Sequence, residues 1–198
     1  MGYSNFTYKK VRNELGIRNK QAQLFPEKKL IEPSQFLLDA LERSKLFALF
    51  SEKSRSESIV APIITEIYQK NKDAFAYYSG AVVNGDSSRE LTGECDFVLS
   101  LGEQDYELDT PLFCLIEAKD HDIEQSIPQC IAQMEGARLY NEKEGKNIGI
   151  IHGCVTIGTE WQFLRLENEV CYVDIDRYYL EKLDKILGAL QAMIDFYR

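Results

Sequence analysis

The 198-residue sequence predicts an α/β domain that carries a basic, helical extension at its N-terminus. Apolar residues recur at the helical spacing of about 3.6 residues between residues 34 and 72, and strand-like segments follow from residue 74. The apolar run from Phe113 to Ile116 is typical of a central strand that is covered on both faces. The composition, 44% hydrophobic and 28% charged with five prolines, excludes a disordered chain.

The helices follow from their apolar stripes and end signals. Residues 1–33 are expected to be irregular because they are basic and rich in turn residues. Ser34 is the expected N-cap of a helix over 34–50. Further helices are predicted at 56–72, 123–144 and 178–197, and Pro62 is expected to distort the first turn at 56–72.

The strands follow from short apolar segments bounded by turn residues. They are predicted at 75–83, 91–101, 111–119, 147–158, 161–166 and 170–173. An acidic turn over 102–110 joins the second of these to the third, which would place the two strands side by side. We divide the chain into a basic N-terminal segment and helix, residues 1–53, packed on a domain formed by residues 54–198.

The charge is distributed unevenly along the chain. The net charge is −9, but residues 1–30 alone carry +5. Between Asp86 and Ser126 there are twelve acidic residues and only two basic ones. Such an acidic block is typical of a solvated surface, and it is equally compatible with a cation site. The charge alone leaves both interpretations open.

Composition also predicts the compartment. The sequence has five cysteines without a C-x-x-C pair, which indicates reduced thiols, and no apolar stretch that is long enough to span a membrane. The N-terminus lacks the apolar core of a secretory signal. We therefore expect a cytoplasmic protein without a membrane partner.

One of three E-x-K tripeptides has an unusual context. The tripeptides at 27–29 and 144–146 lie in segments where charged residues are ordinary, whereas 117–119 closes the apolar run of the predicted central strand. Glu117 and Lys119 share one face of that strand because side chains alternate with a period of two. Buried charges are costly without partners, so this pair requires a counter-charge or a cation.

Asp96 lies between apolar neighbours on the preceding strand, where pairing through the 102–110 turn would bring it near Glu117. Two carboxylates beside a lysine suit metal-assisted hydrolysis of a phosphodiester, since carboxylates hold Mg²⁺ and a lysine can orient the attacking water or stabilise developing charge. A structural ion pair at the end of a sheet is an equally good interpretation of the same residues.

The order of these residues resembles the PD-(D/E)xK nuclease superfamily. The shared pattern is Glu57 on a helix, then Asp96, then Glu117-x-Lys119, and Gln129 on the following helix, and it covers residues 54–175. The resemblance implies a restriction-endonuclease-like fold, in which a central mixed β-sheet is flanked by helices. Asp96 is preceded by Cys95, where the family pattern often has proline.

The resemblance also implies residue roles. Asp96 and Glu117 would be metal ligands, with the Ala118 carbonyl as a third, and Lys119 would be the catalytic lysine. Glu57 would supply an additional acidic group. The polar residue on the following helix would be Gln129 or, one turn further on, Gln133; alternatively, both glutamines are ordinary exposed positions of an amphipathic helix.

We therefore expect a Mg²⁺-dependent nuclease that acts on DNA, in which Mn²⁺ can substitute and the basic N-terminal segment contacts phosphates. The alternatives are a catalytically inactive protein with this fold and a regulatory or interaction role, and a hydrolase acting on another phosphate ester. The apolar helices at 34–50 and 178–197 additionally predict a homodimer.

Overall fold

The computed structural model describes residues 2–46, 48–119 and 122–198. The strands are β1 (Arg18–Ala22), β2 (Ala76–Asp86), β3 (Leu91–Ser100), β4 (Leu112–Ala118), β5 (Ile150–Thr156), β6 (Glu160–Glu167), β7 (Val170–Asp174) and β8 (Tyr178–Tyr179). The helices are α1 (Tyr8–Glu14), α2 (Gln35–Ser44), α3 (Glu52–Arg55), α4 (Ala61–Lys70), α5 (Ile123–Lys143) and α6 (Leu183–Asp195). A π-helical turn, Ser56–Val60, joins α3 to α4.

The described strands form a mixed sheet in the order β1-β7-β6-β5-β4-β3-β2, and β8 pairs with β6. The β1–β7 and β4–β5 pairs are parallel, and the other pairs are antiparallel. Helices cover both faces, and α1 precedes the first strand. The predicted fold class, an α/β protein with a mixed central sheet flanked by helices and an N-terminal helical extension, is confirmed.

Two apolar layers enclose the sheet. On one face, α5 packs on the central strands through Ile131 and Met134, which lie in the same cluster as Leu115. On the other face, the cluster includes buried residues of α4 and α6 together with Phe113 and Ile116. Every residue of β4 is buried, so the apolar run does form a central strand covered on both faces.

The expectation that residues 1–33 are irregular is wrong. Thr7 caps α1 by accepting a hydrogen bond from the Lys10 amide, and Val11 of this helix is buried. Strand β1 pairs with β7, about 150 residues further along the chain. Its first four side chains are all exposed, so β1 shows none of the apolar alternation by which a strand is recognised in a sequence.

Two helix boundaries on the N-terminal side differ from prediction. Helix α2 does begin after its cap Ser34, but it ends at Ser44 rather than continuing to residue 50. The next helical segment begins earlier than predicted because Ser51 caps α3 through a capping box with Ser54. The π-helical turn ends two residues before Pro62, and since proline lacks the amide hydrogen of a regular α-helical ladder, a wider turn is favoured there.

The final helix also begins later than predicted, at Leu183, because Tyr178 and Tyr179 form β8 against β6. Tyr178 donates a hydrogen bond to Asp174 Oδ2 at 3.0 Å, which anchors this short strand to the end of β7. Among the described residues, no helix is both long and apolar enough to cross a membrane.

Candidate functional site

Neighbouring strands bring Asp96 and Glu117 together. β3 and β4 are antiparallel with Phe97 opposite Ile116, so the next cross-strand position places Asp96 beside Glu117. Asp96 Oδ2 accepts a hydrogen bond of 2.7 Å from the Ala118 amide. The prediction that these strands pair through the 102–110 turn is confirmed.

Glu117 is the centre of the polar cluster. Glu117 is only 2% exposed. Its Oε1 lies 2.7 Å from Lys119 Nζ, and the two side chains lie on the same face at the end of the strand. Gln129 donates a side-chain hydrogen bond to Oε1, and Gln133 donates one to Oε2. Both glutamines, one helical turn apart on α5, therefore contact the buried carboxylate, and the alternative that they are ordinary exposed positions is wrong.

The N-cap of helix α5 and its packing on the sheet place the helix beside Glu117. Asp122 caps α5 by accepting a hydrogen bond from the Gln125 amide at 3.0 Å, and the apolar residues of the helix pack on the sheet.

Gln133 is fully buried, and its Oε1 has no hydrogen-bond partner among the described residues. A buried acceptor without a partner costs about 1–3 kcal/mol. In the reverse orientation, the Gln133 amide would present its oxygen to the Glu117 carboxylate, which is also an acceptor. The hydrogen bond from Gln133 Nε2 to Glu117 therefore fixes the orientation of the Gln133 amide.

Burial is the largest influence on the pKa values of Asp96 and Glu117. Burial raises the pKa of Glu117 to about 7, the negative charge of Asp96 adds to the shift, and Lys119 opposes it. The pKa of Asp96 is raised by burial, against the effect of the Ala118 amide. Burial would lower the pKa of Lys119, but the surrounding carboxylates, Glu117 first, outweigh it and raise the pKa. At neutral pH the cluster therefore combines a charged Lys119 with a Glu117 carboxyl group whose pKa is close to the pH, so that it can gain or lose a proton.

A different acidic residue from the predicted one contacts the lysine. The side chain of Glu57 is 66% exposed and pairs with Lys53 at 3.8 Å, whereas Glu52 Oε1 lies 3.5 Å from Lys119 Nζ. The sequence interpretation missed Glu52 because it began the helix at residue 56. The signal was Ser51, an N-cap residue directly before Glu52.

Asp96 and Glu117 are the carboxylates that this position offers to a divalent cation. Within residues 2–46, 48–119 and 122–198, no group of three or more His, Cys, Asp or Glu side chains is arranged to hold a metal ion. Mg²⁺, however, is commonly bound through one or two carboxylates plus waters and substrate oxygens. Asp96 and Glu117 could supply two carboxylates, and the Ala118 backbone lies beside them. In the described arrangement, the Lys119 ammonium provides the positive charge against Glu117.

Comparison with known proteins adds no family to this description. No family model matches the chain, and neither does any curated protein. The function of the protein is therefore inferred from the cluster that the middle of β3 and the C-terminal end of β4 form with residues of α3 and α5.

Proposed function

We propose that the protein is a Mg²⁺-dependent nuclease of the PD-(D/E)xK type that hydrolyses phosphodiester bonds in DNA. The observation that carries this proposal is the convergence of Asp96, in the middle of β3, with Glu117 and Lys119 at the C-terminal end of the neighbouring β4. The second supporting feature is that Gln129 and Gln133 donate hydrogen bonds to the buried carboxylate of Glu117, whose pKa is also affected by the charges of Asp96 and Lys119.

Asp96, Glu117 and the Ala118 carbonyl would hold the cation. A bound Mg²⁺ polarises a phosphoryl oxygen and lowers the pKa of coordinated water. Because a carboxylate must be deprotonated to bind a metal, the raised pKa of Glu117 makes cation binding stronger as the pH rises through about 7. The hydrogen bonds from the two glutamines keep the Glu117 carboxylate in one orientation.

In this proposal, Lys119 acts on the reacting phosphate. Its raised pKa keeps the ammonium charged at neutral pH, so it suits electrostatic stabilisation of charge that develops on the phosphoryl oxygens. Glu52 and Glu117 hold this ammonium from opposite elements, α3 and β4. Glu52 is accordingly a positioning residue, which acts through Lys119.

The test is cleavage of plasmid DNA, single-stranded DNA and RNA with Mg²⁺ or Mn²⁺. Lys119→Ala should lower kcat by about 10²-fold or more, the usual cost of removing a group that stabilises the transition state. Lys119→Gln, which keeps a donor for Glu117, should lose activity equally while preserving the fold. Lys146→Ala is the matched control, because Lys146 belongs to another E-x-K tripeptide and is exposed.

Circular dichroism of each variant shows whether loss of activity reflects loss of structure. Full activity in a folded Lys119→Gln protein would contradict the assigned role of this lysine. If the wild type cleaves none of the three nucleic acids with either metal, the nuclease proposal fails.

A further inference from the structure

The basic residues of the N-terminal segment are divided between paired and free cations. Lys10 pairs with Glu90, and Lys28 pairs with Asp176 at 3.2 Å. In contrast, Arg12 on α1 and Arg18 and Lys20 on β1 are exposed and have no ion-pair partner among the described residues. Lys9 and Lys29 are exposed and, within the described part of the chain, unpaired as well, but Arg12, Arg18 and Lys20 are the ones that line hollows at the outer edge of the sheet.

These cations border two adjoining hollows. The first, of about 320 Å³, is lined by Tyr8, Arg12, Ile17, Arg18 and Asn19. The second, of about 420 Å³, shares Tyr8 and Asn19 with the first and is lined further by Lys20, Gln21 and Arg177 and by the acidic residues Glu124 and Asp174. Because the two hollows share Tyr8 and Asn19, we treat them as one surface, which we call the basic groove and define by Tyr8, Arg12, Arg18, Asn19, Lys20 and Gln21.

The register of the sheet connects the basic groove with the candidate site. Glu117 pairs with Val155, and Val155 pairs with Gln162, which lines the second hollow. Two strand spacings of about 4.8 Å separate Gln162 from Glu117, so this end of the groove begins about 10 Å from the buried carboxylate. The Gln162 end of the groove is therefore level with Glu117, whereas Arg18 is level with Ile150, five residues or about 16 Å further along the strands.

We propose that the basic groove binds the sugar–phosphate backbone of a nucleic acid whose scissile bond lies at Glu117 and Lys119; the choice of substrate rests on the proposed nuclease function. Free guanidinium and ammonium groups bind phosphates largely through the release of counterions. Tyr8 is 45% exposed and offers a ring for stacking, and the Asn19 and Gln21 amides can donate to phosphate or sugar oxygens.

The negative charge of the rest of the chain favours binding of a polyanion at the groove over other parts of the surface. Outside residues 1–30 the chain carries a net charge of −14, which repels a polyanion from most of the surface. Arg177 at the inner end of the groove is already neutralised by Glu124 and Glu160. Within the groove, the attraction therefore comes from Arg12, Arg18 and Lys20.

The topology also sets the length of substrate that reaches both places. Strand β1 is four positions from β4 in the sheet, a separation of about 19 Å at about 4.8 Å per strand. Phosphates of one strand of B-form DNA advance about 3.4 Å per base pair along the axis. Together with the offset of about 16 Å along the strands, this places Arg18 about 25 Å from Glu117, so a duplex must extend about seven base pairs beyond the scissile bond to occupy the far end of the groove.

The test measures binding without catalysis. Fluorescence anisotropy with EDTA present gives the Kd for a labelled DNA duplex of about 24 base pairs and for its single strand, between about 50 and 200 mM salt. The groove variant is Arg12→Gln/Arg18→Gln/Lys20→Gln. The matched control, which removes the same charge from exposed cations elsewhere, is Lys72→Gln/Lys146→Gln/Lys185→Gln.

The groove variant should bind more weakly and with a smaller salt dependence. Each lost phosphate contact lowers the slope of log K against log salt by about 0.9 for a duplex, so three contacts lower it by about 2.7. Over a fourfold change in salt, the wild type should lose about 40-fold more affinity than the groove variant. The control variant should keep the slope of the wild type.

Equal slopes for the groove variant, the control and the wild type would overturn the proposal, as would the absence of binding to both probes. Since EDTA removes the metal, the result does not depend on the nuclease assay. A groove-dependent slope in a protein that cleaves nothing would support the groove and reject the nuclease, and cleavage with equal slopes would do the reverse.

Discussion

Replacing Glu117 with Gln isolates the consequence of burying a carboxylate at the end of β4. Burial raises its pKa from an ordinary value of 4.5 to about 7, so the folded protein binds a proton here more tightly than the unfolded chain does. The stability linked to this group is therefore fully present below pH 4.5 and is lost as the pH rises towards about 7. At about 1.4 kcal/mol per pKa unit, the loss is of the order of 3 kcal/mol.

The assay is urea unfolding in EDTA at several pH values from about 5 to 8, where this loss should be measurable. The free energy of unfolding of the wild type should fall relative to that of Glu117→Gln as the pH rises, because glutamine keeps a polar group at the position without titrating. Glu94→Gln, at an exposed position of β3, is the control and should follow the wild type. Parallel pH profiles for the wild type and Glu117→Gln would refute the raised pKa.

Three further outcomes are expected. Excess Mn²⁺ should raise the Tm of the wild type by several degrees but not that of Asp96→Asn, whose apo form should be no less stable because Lys119 keeps its contact with Glu117; a Tm that Mn²⁺ leaves unchanged in the wild type would contradict the metal site. Gly136→Ala should destabilise the protein by about 1–3 kcal/mol in urea unfolding, since the added methyl would overlap the Tyr3 hydroxyl; a more stable variant would show that helix propensity outweighs this packing. Light scattering should show a homodimer at micromolar concentration, and a monomer would count against the exposed apolar residues of α2 as an interface.

The sequence by itself determined the elements whose signals are local. The apolar run of β4 predicted a central strand, and the charges at its end predicted a polar cluster because buried charges require partners. Asp96, Glu117 and Lys119 could be brought together from the sequence because a short turn joins their strands. Gln129 and Gln133 could be named as candidates, but their contact with Glu117 required the packing of α5 on the sheet.

Only the tertiary structure decided the features that depend on distant partners. Strand β1 has no apolar alternation and exists because β7 supplies its hydrogen bonds. Glu52 replaces Glu57 beside Lys119 because the two residues lie five positions apart on a helical segment and face different directions. Pairing and side-chain direction of this kind are set by contacts between segments that are remote in the chain, and local periodicity carries no record of them.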